Sequence, residues 1–256
     1  HWERLEHSAA AIALPLPFGR ADLTARTVET VRAAGLPDAL VKVLLARGPG
    51  SLGVGPAETV GPQVYIVAQP LPEPFMQTHP DGASAATVDI PLKPSFLATV
   101  KTCNYIPNML MARAARDRGA DFAVVFDEQG GLAEGAVESI AVVTRERRLL
   151  VPEPGRVLPG TTLHRVCALA EEVPREVLAG QRACFIGRRH VAQAAELLVV
   201  GTTRNVTAVT TWDGRPVGDG RPGPVYRALR ERLERDMREN DALRTPVEPF
   251  GEPPAS

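Results

Sequence analysis

Lysine is nearly absent from this chain. Of 29 basic residues in 256, only Lys42, Lys93 and Lys101 are lysine, so arginine meets nearly every need for positive charge. The formal net charge is −1, which leaves no electrostatic footprint for nucleic acid. No apolar run approaches membrane-spanning length, and the opening residues show no signal-peptide pattern. The three cysteines, Cys103, Cys167 and Cys184, form no CxxC and no even framework. They are expected to be reduced thiols of a cytoplasmic protein, and neither a metal set nor a disulfide set. No internal repeat is visible, and the 24 prolines and 22 glycines are dispersed, forming no low-complexity block.

The apolar content of 44% and charged content of 23% are those of an ordinary globular protein with length enough for a buried core. Residues 69–84 carry Pro70, Pro72, Pro74, Pro80 and Gly82, the best linker in the chain. The expected organisation is a small domain over 1–72, a Pro-rich linker over 73–86, a larger domain over 87–244 and a loose tail over 245–256.

Helices are expected over 1–9, 22–34 (N-cap Asp22, stop at Gly35), 108–118, 162–172, 191–195 and 225–243. Strands are expected over 41–46, 63–67, 122–126, 140–143, 148–151, 196–200 and 209–212. Gly48-Pro-Gly50-Ser-Leu-Gly53 fits the dinucleotide fingerprint GxGxxG and follows a strand. No helix fits between it and the next strand, so it reads as a glycine-rich hairpin loop. Arg145, Arg147 and Arg148 read as a solvated cluster at a hairpin tip.

The stretch that organises the chain is Lys101-Thr-Cys-Asn104-Tyr105-Ile-Pro107-Asn108. Phe96 to Val100 give Lys101 an apolar, strand-like approach. Lysine can lose its proton and form an imine, which arginine cannot. Burial favours the reactive neutral amine. The same residues also fit a lysine snorkelling from a strand end.

Four further motifs occur in order with it. They are Arg4-Leu5 with Ser8-Ala9, Glu134-Gly135, Leu158-Pro-Gly-Thr161-Thr162, and Gly201-Thr202-Thr203. Taken locally, Arg4 and Glu134 also fit surface residues, and Thr162 fits a plain helix cap as well as an anion contact.

Together the five motifs resemble the class IV aminotransferases, the pyridoxal 5'-phosphate enzymes of fold type IV. That group includes branched-chain and D-amino-acid aminotransferases and aminodeoxychorismate lyases. The resemblance spans essentially the whole chain. It implies an α+β fold of two domains with the cofactor between them. In relatives the helix bearing the Arg4 motif follows several strands; those opening strands are expected to be missing here or to lie outside the 256 residues. It further implies roles. Lys101 holds the cofactor as a Schiff base and then moves protons as general base and acid. Tyr105 bonds the phenolic oxygen. Glu134 pairs with the pyridine nitrogen and keeps the ring electron-accepting. Leu158 packs on the ring face. Arg4, the backbone of Thr161, Thr162, and Thr202 or Thr203 hold the phosphate.

The implied activity is ping-pong transamination between an amino acid or amine and a 2-oxo acid, by a homodimer without nucleic-acid or membrane partners. A pyruvate-releasing lyase and a remodelled, non-catalytic member are the alternatives. The chain departs from the family pattern in three places. Ala136-Val137-Glu138-Ser139 stands where relatives carry small polar residues and an Asn on the substrate side. Asn205 and Ala208 replace a usual Glu and Pro. Leu52 and Val54 stand near where some D-amino-acid enzymes place an Arg and a His, which argues against ordinary D-amino-acid specificity.

Overall fold

A computed structural model describes residues 1–247 except Val54, Pro56, Ala57 and Pro94. It divides into two compact units. The first takes in His1–Pro72 with the described residues from Asp241 on, and the second is Glu73–Asn240.

In the first unit, α1 spans Trp2–Ala11 and α2 spans Arg20–Ala34. Helix α2 starts two residues before the expected Asp22, after an N-cap at Gly19. Asp22 instead lies in the first turn, where a carboxylate favours the helix dipole. Gly35 ends α2 in the left-handed conformation, φ 60°, as a glycine stop should. Strands β1 (Ala39–Ala46) and β2 (Gln63–Pro70) pair antiparallel from Ala39 opposite Pro70 to Ala46 opposite Gln63. The fingerprint glycines therefore close a hairpin, with Gly50 bridging Thr59. Val54 lies outside the described residues, and Leu52 is fully exposed.

Among its described residues the second unit has six helices: α3 (Phe75–Thr78), α4 (Ser95–Ala98), α5 (Ile106–Asp117), α6 (Thr161–Ala170), α7 (Arg188–Ala192) and α8 (Pro224–Glu239). Its strands are β3 (Ala83–Thr87), β4 (Phe122–Phe126), β5 (Leu132–Gly135), β6 (Ser139–Val143), β7 (Arg148–Pro152), β8 (Gly180–Cys184), β9 (Glu196–Gly201), β10 (Asn205–Trp212) and β11 (Arg215–Pro216). The pairings β3–β4–β5–β6–β9–β10–β3 close a circuit of six strands; β7 and β8 branch from β6, and β11 from β10. The architecture is α+β, as expected.

Three expectations are corrected. The linker over 73–86 holds α3 and most of β3, which pairs with both β10 and β4. Proline marks turns beside this strand but does not occur within Ala83–Thr87. Residues 241–244, placed in the large domain, group with the first unit. The approach to Lys101 is one helical turn, Ser95–Ala98, followed by irregular backbone. Short apolar runs do not distinguish helix from strand.

The closed circuit explains the core. Alternate side chains of one strand point to opposite faces. Leu197 and Val199 of β9 join Ala85, Phe122, Leu132, Ile140 and Val209 in a cluster fed by all six circuit strands. Leu198 and Val200, between them, face the other way and pack with Val166 and Leu169 of α6 and Leu229 and Leu233 of α8. A third cluster sets Met111 and Ala115 of α5 against Ala123, Val125 and Ala133. Buried Glu196 accepts the Val225 and Tyr226 N–H groups at 2.9 and 2.8 Å, capping α8 from the neighbouring strand. A side chain at Gly223 would collide with that carboxylate, which accounts for Gly-Pro at the start of this helix.

Candidate functional site

Strand register brings the separate motifs of the second unit to one corner. Glu134 near the end of β5 pairs with Ser139 at the start of β6, and Ser139 pairs in turn with Val200 at the end of β9. The turn Gly201–Asn205 continues from there, carrying Thr202 and Thr203. A Cβ on Gly160 would strike the Ser139 hydroxyl, so the start of α6 lies against the same residue. Asn108, at the start of α5, donates its amide Nδ2 to the carbonyl of Ala136. This bond ties the segment just after Lys101 to the Glu134–Ser139 turn.

Lys101 is exposed, which agrees with the snorkelling reading of its apolar approach and not with a buried amine. Its Nζ donates to the Tyr105 hydroxyl at 3.2 Å, and it lies 5.8 Å from the centre of that ring. Lys93 lies 5.7 Å from the same ring centre. Two of the three lysines therefore share one tyrosine. Glu134 is half-buried, and desolvation raises its carboxyl above the usual carboxylate range. Lys93, the Leu158 N–H and Lys101 oppose that rise, while Glu138 adds to it. The Leu158 N–H reaches Glu134 Oε2 only at a long 3.4 Å. The carboxylate thus has room for a stronger, charged donor.

Helix α6 begins at Thr161 after an N-cap at Gly160, with no side-chain cap bond. Thr162 is one position inside the helix and is not its cap. A helix N-terminus without a side-chain cap presents backbone amides and a positive dipole end to an anion. Across the corner, Thr202 is exposed and Thr203 half-buried.

The amino-transferase class IV family model matches residues 1–212. The chain belongs to the class IV aminotransferases. It is 31% identical to the chloroplastic D-amino-acid transaminase of Arabidopsis thaliana, over 93% of this chain and 64% of that protein. It is 28% identical to a putative branched-chain-amino-acid aminotransferase of Methanocaldococcus jannaschii, over 91% of this chain and 80% of the relative. Among solved structures, a branched-chain amino acid aminotransferase (T.th.) with pyridoxamine 5'-phosphate matches with a TM-score of 0.85 at 27% identity. That match covers 93% of this chain and 77% of the other. The complex of the same enzyme with N-(5'-phosphopyridoxyl)-L-glutamate gives 0.84. The chain thus spans under two thirds of the Arabidopsis relative and about three quarters or more of the others.

The donor set of this class IV aminotransferase suits pyridoxal phosphate. A primary amine stands beside a phenol, a half-buried carboxylate lacks a strong donor, and a helix start has no side-chain cap. Lys101, Tyr105, Glu134 and Leu158 are linked by hydrogen bonds or charge, and Thr161, Thr162, Thr202 and Thr203 reach the corner through Gly160 and Gly201. Arg4 is half-buried on α1 and belongs to the first unit. Sequence reasoning missed Lys93 and Arg204 as parts of the corner, and gave Asn108 and Glu138 no individual role there. The scarcity of lysine was the one signal that pointed to Lys93.

Proposed function

We propose that the protein is a pyridoxal-phosphate-dependent aminotransferase that moves an amino group between an amino acid or amine and a 2-oxo acid. One observation carries the reading: the Lys101 amine stands 3.2 Å from the Tyr105 hydroxyl, in the field of the half-buried Glu134. When bound, pyridoxal phosphate supplies an aldehyde for amines and a ring that draws electrons from the substrate carbon.

The chain's own residues do the rest. With the cofactor bound, Glu134 would hold a proton on the pyridine nitrogen by charge. Tyr105 bonds the phenolic oxygen and orients the Lys101 amine. With the cofactor bound, Lys101 Nζ would take the proton from the substrate Cα and hold it for return, as general base and then acid. Leu158 would cover a face of the bound ring. The α6 start at Thr161 and Thr162, the Thr202–Thr203 turn and Arg4 hold the phosphate.

The test uses the purified chain supplied with pyridoxal phosphate. Visible absorbance should fall on adding an amino donor and return on adding a 2-oxo acid. D-amino acids and branched-chain L-amino acids belong in the donor panel, since relatives of both names match. Pyruvate released from aminodeoxychorismate, without transamination, would assign the lyase reaction instead. A preparation that never colours would leave a non-catalytic member.

The partner is a second copy of the chain. Phe96, Ile106, Met109 and Val137 are large apolar side chains more than half exposed, all near Lys101 in sequence or on the Ala136–Val137 turn. An apolar group of this kind suits burial between subunits. Light scattering should give twice 27.4 kDa for the native chain and a smaller mass for Ile106→Glu. A monomeric native protein would refute the dimer. The three thiols suit a cytoplasmic setting. Among the described residues no helix is long and apolar enough to cross a membrane.

A further inference from the structure

Two of the places where this chain leaves the family pattern lie close in sequence to residues that meet in space. Glu138 is 6% exposed, and its Oε1 lies 3.5 Å from Nε of Arg204. Arg204 comes from the turn that carries Thr202 and Thr203. Its buried Nε has no hydrogen-bond partner among the described residues, and its guanidinium lies 5.5 Å from the Phe122 ring centre. Glu138 is folded back on its own turn. Its Oε2 accepts the Val137 N–H at 3.0 Å, and its main-chain oxygen accepts the Gly135 N–H at 2.8 Å. A Cβ on Gly135 would sit 2.8 Å from Oε2, so the carboxylate lies directly behind the Glu134–Gly135 link. Glu138 and Arg204 line one cavity of about 280 Å³ together with Tyr105 and Asn108.

A buried carboxylate without a counter-charge is strongly unfavourable, and removing one partner of a buried pair costs more than removing both. Arg204 is the cation facing Glu138. Its own backbone is fixed at both ends: the Arg204 N–H donates to Gly201 O at 3.1 Å, and Thr207 Oγ1 donates to Arg204 O at 2.9 Å.

We propose that Glu138 and Arg204 are a positioning pair, which fastens the Thr202–Thr203 turn to the Glu134 turn and balances the charge behind Glu134. This rests on the assignment of Glu134 as the partner of the cofactor's ring nitrogen, but the pair itself is testable without cofactor. The charged groups facing Glu134 are Lys93, Lys101 and Glu138, and Arg204 reaches it through Glu138. Neutralising Arg204 leaves an anion that favours the protonated form of Glu134. Neutralising Glu138 leaves a cation that favours the ionised form.

The experiment follows the Glu134 carboxyl by carbon NMR across pH in the full chain, with the resonance assigned from Glu134→Gln. It compares the native protein with R204M, R204K, E138Q and the double variant E138Q/R204M. The titration should move to higher pH in R204M and to lower pH in E138Q. It should return towards native in the double variant and stay native in R204K, which keeps the charge. Should R204M fail to fold, E138Q and R204K still give different expectations, a shift to lower pH against no shift. An unmoved titration in E138Q would overturn the pair, as would a shift of the same sign in E138Q and R204M. In parallel, pyridoxal phosphate is titrated by visible absorbance. A native chain that never takes up colour with pyridoxal phosphate would sink the proposed function and leave the NMR result to decide the pair.

Discussion

Lys101→Ala is expected to abolish covalent capture of pyridoxal phosphate and to lower kcat by at least about 10³-fold, within the range general acid–base and nucleophilic groups supply. Borohydride reduction followed by mass analysis should add the cofactor's mass to native Lys101 and to nothing in the variant. Lys101→Arg separates charge from chemistry. It keeps a cation beside Tyr105 and Glu134 but cannot form an imine, so it should be as inactive as alanine. Lys93→Ala is the internal control, because that amine shares the Tyr105 ring at 5.7 Å against 5.8 Å for Lys101. Capture at Lys93 in the native protein, or full activity in Lys101→Ala, would reverse the assignment of the two lysines. The exposure of Lys101 makes the outcome informative: loss of one solvated amine leaves no cavity, so a large effect reads as chemistry and not as unfolding.

What could be read from sequence was local. Lys101 and Tyr105 are four residues apart, and their hydrogen bond needs only a short irregular loop. Gly35 as a helix stop and Gly160-Thr161-Thr162 as a helix start follow from backbone rules that act within one turn. What could not be read depends on neighbours distant in the chain. Strand β3 is Ala-Ser-Ala-Ala-Thr, a weak strand former by side chain, and it exists because β4 and β10 flank it. Proline before it made the region look like a linker. Strand β8, Gly-Gln-Arg-Ala-Cys, is held parallel to β7 in the same way.

The site divides along the same line. The motifs announced Lys101, Glu134, the threonine helix start and the Thr202–Thr203 turn as separate pieces. The closed circuit of strands makes them one corner, through Ser139 pairing with both Glu134 and Val200. Glu138 and Arg204 are 66 positions apart, and each alone is an unremarkable charged residue. Only the register of β6 against β9 sets them face to face. The lysine approach failed for a different reason: apolar neighbours in sequence do not bury a side chain that the backbone turns outward.

Glu134→Gln is the second large effect. The amide keeps the shape but cannot hold a proton on a ring nitrogen by charge. The expected loss in kcat is on the order of 10²–10³-fold, as for removal of one preorganised electrostatic group. Cofactor should still bind, because Lys101 and the residues proposed to hold the phosphate are unchanged. The pH dependence gives the sign. Burial raises the Glu134 carboxyl above the usual carboxylate range, and Lys93, the Leu158 N–H and Lys101 hold that rise back. Protonation removes the charge that Glu134 sets against the ring nitrogen, so activity should fall on the acid side as the carboxylate is neutralised. Glu134→Gln should erase that limb. Lys93→Met should move it to higher pH, since it removes the largest opposing influence. An unchanged acid limb in Glu134→Gln, or a kcat within a few-fold of native, would take the ring-nitrogen role away from this residue. The acid limb would then belong to another group facing Tyr105, and Glu134 would be left as a half-buried strand residue whose charge serves only to offset its two lysine neighbours.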